Sequence, residues 1–342
     1  MRLTTLGLNL TLFVFSALIA LIGAEITLRW LGYQPWQVKD IKIAVEPGGK
    51  FFAKHPRLGY THLPGEFKVT LPDGYGFKVT HLPNTLRITH PLDTYGVGLR
   101  KDELWIFGCS FTYGWTLNDE ETYPWLLQQQ LPEVEVVNFG VSGYGTLQSF
   151  IQFQEALAAR PKPRLVIIAY ASFHDQRNTL LRLRSKQIVP WNKLGPIVQP
   201  YATIDEKGLL NYAMAEMSYR EFPLMRTSAL MNFIETTYDY KVEDAFYNSH
   251  TVTQAIIKEF HQLAKEQGIE LVVVGLLPDR LTTDTLAYSA GQGIMTADIS
   301  VDLSRRSYRN WPHDPHPSPA ANQQYASKLG DFLRNNILKI RD

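Results

Sequence analysis

Read for hydrophobic periodicity, the second two-thirds of the chain alternates compact apolar runs with amphipathic stretches. The compact runs are residues 104–107 (LWIF), 134–137, 164–170 (RLVIIAY) and 270–276 (ELVVVGL). Short apolar runs bounded by turn residues predict strands buried on both faces, as in a parallel sheet. Between them the period lengthens to that of a helix. One predicted helix starts near residues 120–124, with Thr122 as its cap and Pro124 in its first turn, and ends before Pro132. Others are predicted over 147–159, over 251–267 with Gly268 closing it, and over 320–338. Strand, helix, strand, helix, strand in that order predicts a parallel sheet with right-handed crossovers.

Three regions depart from this rhythm. From Leu3 to Ala24 the chain carries no charge, and Trp30, Tyr33 and Trp36 follow. About 20 apolar residues cross a bilayer, and aromatic residues favour its interface, so an anchor is expected over 3–28. A cleaved signal would have a shorter apolar run, and Ile22-Gly23-Ala24 is a poor cleavage site. A buried soluble helix would show a polar face. Arg2 precedes the span and Arg29, Lys39 and Lys42 follow it, so the basic bias does not favour an outside domain. The two-residue head before a single span is the layout of a signal anchor, and on that ground the domain is expected outside.

Residues 36–100 alternate with period two around Leu71-Pro72-Asp73-Gly74, which predicts a β-hairpin and loops. Residues 179–250, with Pro190, Trp191, Pro196 and Pro200 and a stretch rich in Met and aromatics, read as a partly helical insertion that can wall a cleft.

Composition narrows the function classes. The 342 residues carry 34 basic and 33 acidic side chains, a net charge of +1 without a basic stripe, so nothing points to nucleic acid. Cys109 is the single cysteine, which excludes an intramolecular disulfide and a cysteine zinc site. His55, His62, His81 and His90 lack ligand spacing, so no metal is expected.

The candidate chemistry sits where strands end. The run 104–107 breaks into Gly108-Cys109-Ser110, which delivers Ser110 to the sheet's carboxyl edge. There it is either a nucleophile or a residue of a tight strand-to-helix turn. The Gly-rich loop 138–146 can supply backbone N–H groups, and the loop 171–178 offers side-chain donors. His316, just before the last helix, is a candidate base. Loops at one carboxyl edge can bring these together although they are more than 200 positions apart in sequence.

Taken together, three blocks resemble the SGNH (GDSL-like) hydrolases. GCSFTYG resembles the first block, Gly-Asp-Ser-x-Thr-x-Gly. VNFGVSGYGT resembles the second, and HDPHPSPAANQQYASKL the last. The likeness covers about residues 100–335, and more loosely the regions before it, as in membrane-anchored bacterial members. It implies Ser110 as nucleophile and oxyanion donor, Gly143 as second donor with Gly140 as the alternative, and His316 as base. Three positions depart from the pattern. Cys109 stands where the family has Asp, which implies a tuned site. His174 stands where it has a donating Asn, with Asn178 as a substitute. The orienting Asp of the family falls on His313, so Asp314 is expected in that role.

These readings combine into one expectation. The chain is a three-layer α/β/α protein of flavodoxin-like type, with an N-terminal transmembrane helix and a small β-rich region. Its domains are an anchor (3–28), the β-rich region (36–100) and a hydrolase domain (101–340) carrying the 179–250 insertion. It is expected to hydrolyse an ester on a small molecule or cell-surface glycan through an acyl-Ser110 intermediate, without metal or cofactor. The alternatives are an O-acyltransferase acting on exopolysaccharide and a catalytically decayed carbohydrate-binding or scaffold module. The expected location is a single-pass membrane protein with an extracytoplasmic, periplasmic catalytic domain.

Overall fold

The structure is a computed structural model that describes residues 2–38, 42–95, 102–189 and 194–338. Lys39, Pro190, Trp191 and the boundary at 100–101 lie outside the described residues. In chain order the elements begin with α1 (Arg2–Trp30), β1 (Ala44–Glu46), β2 (Phe52–His55), β3 (Gly59–His62), β4 (Gly65–Thr70) and β5 (Gly76–His81). Next come β6 (Glu103–Phe107), α2 (Ser110–Tyr113), α3 (Tyr123–Gln130), β7 (Glu135–Asn138), α4 (Thr146–Ala159) and β8 (Leu165–Tyr170). The middle holds α5 (His174–Asn178), α6 (Arg182–Ile188), β9 (Val198–Ile204), β10 (Leu210–Glu216), α7 (Ala229–Tyr238) and α8 (Asp244–Tyr247). The last elements are α9 (Ser249–Glu266), β11 (Glu270–Gly275), α10 (Arg280–Gly291), β12 (Met295–Asp298) and α11 (Pro319–Asn336).

The chain divides into two compact units. The larger contains 41–180, 192–217 and 247–342. Its centre is a five-stranded sheet in the order β12-β11-β8-β6-β7, with every neighbouring pair parallel. Counted along the chain, that is the 2-1-3-4-5 order of a doubly wound flavodoxin-like sheet. Successive strand residues point to opposite faces, and both faces are covered. Trp105, Phe107, Val166, Ile168 and Val273 pack with Phe153 of α4 and Ile256 and Phe260 of α9. Leu104, Ile106, Leu165, Ile167 and Val272 pack with Leu127 of α3 and Tyr325 and Leu329 of α11. Two-sided burial is why the three central strands, β11, β8 and β6, read as nearly unbroken apolar runs rather than alternations. Phe153 and Phe260 stack at 4.6 Å, and truncating either to Ala is expected to cost about 3–5 kcal/mol.

The structure refines the sequence reading at three places. Residues 278–310 contain α10 and the fifth strand, β12, which periodicity did not reveal. β12 is a four-residue edge strand, MTAD, that is not fully buried and has no apolar run to betray it. The 179–250 insertion is not one piece. The β9–β10 hairpin belongs to the larger unit, while 181–191 and 218–246 belong with α1. Thr122 does not cap α3 with its side chain, because its Oγ1 donates to the Asp119 carbonyl instead.

The β-rich stretch forms the hairpin β4–β5, with β1 added beside β4, and a separate pair β2–β3. It is part of the larger unit, and its tie is Arg87. That side chain is fully buried and donates to Asp119 and to the carbonyls of Tyr113, Gly114 and Leu117. A region that looks independent in composition therefore clamps the turn that follows Ser110.

The smaller unit contains 1–40, 181–191 and 218–246. Its longest element is α1, whose residues 7–30 form an apolar, unburied helix of 24 residues. At 1.5 Å per residue that is about 36 Å, enough to cross a hydrocarbon core of about 30 Å. α7 begins at Ser228, whose Oγ accepts from the Met231 N–H, a regular N-cap.

Candidate active site

β6 ends at Phe107, and α2 starts three residues later at Ser110, with Cys109 in extended conformation as its N-cap. Parallel strands all point their carboxyl ends to one edge, so the loops after β6, β7, β8 and β12 emerge on the same side. The loop after β7 lies directly against α2. Asn138 Nδ2 donates to the Thr112 carbonyl at 3.1 Å, and Asn138 Oδ1 accepts from Gly140 N at 2.9 Å. A Cβ at Gly140 would fall 2.4 Å from Tyr113 N, so no larger residue fits there. Gly143, in the same loop, has φ +91, a conformation that glycine adopts without strain.

The third strand-end loop is the segment before α11. Arg309 and Pro317 pair across its neck, Asn310 N donates to the His316 carbonyl, and Asp314 N donates to the Asn310 carbonyl. Ser318 caps α11 and Pro319 opens it. The closed neck fixes the backbone, which projects Asp314 and His316 to the sheet edge.

Ser110, His316 and Asp314 meet there. His316 Nε2 is 2.9 Å from Ser110 Oγ, although the two are 206 residues apart in sequence. His316 Nδ1 donates to Asp314 Oδ1, which also accepts the His316 backbone N–H at 2.9 Å. Burial raises the Asp314 pKa. The His316 ring and backbone hydrogen bonds and one from the Trp115 side chain outweigh that, holding the carboxyl below its usual value. An ionised carboxylate only accepts, so it requires a proton on Nδ1. Nε2 then presents its lone pair to the Ser110 hydroxyl, the arrangement that lets imidazole take a proton from serine.

The remaining expected residues separate. His174 is buried at the start of α5, with Nδ1 3.3 Å from Thr146 Oγ1. Asn178 is engaged elsewhere. Its Oδ1 accepts from Leu147 N, and its Nδ2 donates to Thr253 Oγ1 at 2.7 Å, tying α4 to α9. The Thr253 bond uses one of the two hydrogens on Nδ2, and both ends of the amide hold Asn178 between the two helices. Cys109 is fully buried, and the Arg177 guanidinium hydrogen-bonds it. Arg177 also donates to the Tyr144 carbonyl at 2.8 Å and lies 4.2 Å over the Phe173 ring. Burial lowers its pKa. Where the family has an acid, this chain has a thiol with an arginine beside it.

Sequence reasoning missed the supports of the His316 loop. His313, at the family's acid position, donates from Nδ1 to Asp73 at 2.6 Å and stacks on Tyr75 at 4.3 Å. That hydrogen bond holds Asp73 below its usual pKa. Asp73 and Tyr75 belong to the β4–β5 turn, 240 residues from His313, and no local pattern links them. Trp115, one residue past the first block, supplies a side-chain hydrogen bond to Asp314. His62 and His81 stack at 4.4 Å in an aromatic cluster, with His81 Nε2 3.0 Å from the Tyr113 hydroxyl. Burial holds the His62 pKa well below its usual value and brings His81 down to about 3.

No protein-family model matches the chain, and no curated protein matches it. Solved structures do. A member of the lipolytic protein G-D-S-L family from Veillonella parvula is 12% identical, with 67% of this chain and 96% of that one covered, at a TM-score of 0.40. A carbohydrate acetylesterase family member from Sinorhizobium meliloti is 11% identical, with coverage of 68% and 98% and a TM-score of 0.40. A catalytic mutant of an acetylxylan esterase from Geobacillus stearothermophilus is 13% identical, with coverage of 68% and 93% and a TM-score of 0.38.

Proposed function

We propose that this chain is a membrane-anchored serine esterase. The observation that carries the reading is the hydrogen-bonded chain from Ser110 Oγ to His316 Nε2 and from His316 Nδ1 to Asp314 Oδ1. Ser110 Oγ attacks the ester carbonyl while its proton passes to His316 Nε2. The tetrahedral oxyanion is held by the N–H groups of Ser110 and Gly143, with His174 as the side-chain donor. The C–O bond to the alcohol then breaks, and His316 returns the proton to the leaving oxygen. Water attacks the acyl-Ser110 carbonyl in the same way, with His316 taking its proton. The acid leaves and Ser110 is restored. Asp314 holds the imidazole in the required tautomer and stabilises it when charged.

The anchor is α1. Its last turns are integrated with the smaller unit through Glu25 and Arg29, which favours a retained helix over a removable leader. The catalytic unit is proposed to face the extracytoplasmic side, which protease protection of the chain in sealed vesicles tests.

The esterase reading is tested with the full chain in detergent and p-nitrophenyl acetate. Turnover and fluorophosphonate labelling are expected, and both are expected to vanish in Ser110→Ala. Equal turnover by the two proteins refutes the serine mechanism. Turnover of an acetylated polysaccharide beside the small ester tells whether the carrier is a glycan. Deacylation accelerated by added glycan hydroxyls rather than water would assign transfer instead.

A further inference from the structure

The helical segment after Ser228 is inside-out. Glu235 and Asp239 are fully buried, whereas Ile234, Tyr238, Val242 and Phe246 are exposed, Phe246 at 78%. These four apolar residues recur every fourth position. In a regular α-helix that spacing drifts by about 40° per step. Here a π-turn over Asp239–Glu243 separates α7 from α8 and takes more residues per turn, which offsets the drift and keeps the stripe on one face. Leu224 and Tyr240 in the same unit are also exposed.

The inward stripe is built for its charges. Arg182 reaches Glu235 at 3.2 Å and Asp239 at 3.6 Å, and Lys186 pairs with Glu235. The Tyr219 hydroxyl donates to Glu235 at 2.5 Å, and the Arg182 backbone N–H donates to Glu243 at 2.8 Å. Burial first, then Glu235 and Glu243, pushes the Asp239 pKa up to about 7. Water selects the opposite orientation, with acids outward and apolar residues inward. A lipid environment selects this one, because charges are then sheltered within protein and the apolar face meets hydrocarbon.

The depth of the segment is set by α1. Glu25 accepts from Ser228 Oγ at 2.7 Å and from the backbone N–H groups of Ala229 and Leu230 at 2.9 and 2.8 Å. Arg29 donates to the Thr227 carbonyl at 2.8 Å. The start of α7 therefore sits level with residue 25, about 7 Å along the axis before α1 ends at Trp30. Trp30, Leu31 and Tyr33 are exposed at that end.

We propose that the stripe Ile234–Tyr238–Val242–Phe246 lies in the lipid of the membrane that α1 crosses, making this unit an interfacial foot. The inference rests on the proposed anchoring of α1. The test uses the full chain in phosphatidylcholine and phosphatidylglycerol vesicles, with an environment-sensitive fluorophore on a single cysteine introduced by Leu18→Cys, Val242→Cys or Phe246→Cys. Native Cys109 is fully buried, and the unsubstituted chain reports any labelling there. All three labels are expected to shift to the blue, to lose most of their emission to doxyl-labelled lipid and to resist aqueous iodide. If Leu18→Cys is quenched by lipid while the other two respond only to iodide, the foot is refuted and the anchor stands. If Leu18→Cys escapes lipid quenching, the anchor falls and the foot with it. If positions 242 and 246 resist both quenchers, protein covers the stripe, which also overturns the proposal.

Discussion

Replacing Arg87 with Met tests whether the β-rich stretch and the Ser110 turn form one mechanical piece. The Arg87 side chain has no exposure and makes four donations of 2.7–2.8 Å, to Asp119 Oδ1 and the carbonyls of Tyr113, Gly114 and Leu117. Met keeps much of the aliphatic volume but leaves the nearly buried Asp119 without its cation and three carbonyls without their donor. Breaking a buried ion pair from one side costs about 3–5 kcal/mol. In a unit of this size each kcal/mol moves Tm by roughly 2–4 °C, so a fall of about 6–20 °C is expected. Thr80 N also donates to Asp119, so Asp119→Asn keeps that acceptor while removing the stranded charge. The double variant Arg87→Met/Asp119→Asn should therefore recover about 1–3 kcal/mol of the loss. The assay is thermal unfolding of the full chain in detergent, followed by near-ultraviolet circular dichroism, with esterase activity measured well below Tm. A shift under about 2 °C for Arg87→Met, or a double variant no better than the single, would refute the idea that this buried pair holds the turn.

Other outcomes follow from the same geometry. Asp314→Asn offers an amide N–H to His316 Nδ1 and so favours the proton on Nε2; kcat is expected to fall by about 10⁴ with the fold intact, and a loss under tenfold would count against the tautomer argument. Asp73→Ala frees His313 from the β4–β5 turn. It should lower kcat by about ten- to a hundredfold with little change in KM or Tm, whereas a large Tm drop with unchanged kcat would make the contact merely structural. Buried His81 titrates near 3 in the folded chain but near its ordinary 6.5 when unfolded, so the unfolded state binds more protons between those values. Stability should thus be full above about pH 6.5 and fall as pH drops toward 3, and His81→Gln should flatten that slope by up to about 1.4 kcal/mol per pH unit in urea titrations at successive pH values.

How much could be read in advance depended on whether the signal was local. The four short apolar runs located their strands within a residue or two, because the three central strands are buried on both faces and the edge strand β7 keeps buried Val136 and Val137. β12 escaped because an edge strand that is not fully buried need not be apolar. The Ser110 turn and the His316 loop were legible because each is a short motif whose residues must sit at fixed offsets from a strand or helix end.

What the sequence could not carry was pairing across distance. That Asp314 rather than His313 faces the base ring, that His313 turns instead to Asp73, and that Asn178 is bound between α4 and α9 all depend on which loops share one sheet edge. The same holds for the split insertion and its reversed helix. Glu235 and Asp239 look like solvent-facing acids in sequence, and only the arrival of Arg182 and Lys186 makes an inward face affordable. Local chain chemistry determined the elements and nominated the serine and histidine. The tertiary structure decided their partners, because a charge or lone pair is satisfied by whatever the fold brings within about 3 Å of it, however far apart the two lie along the chain.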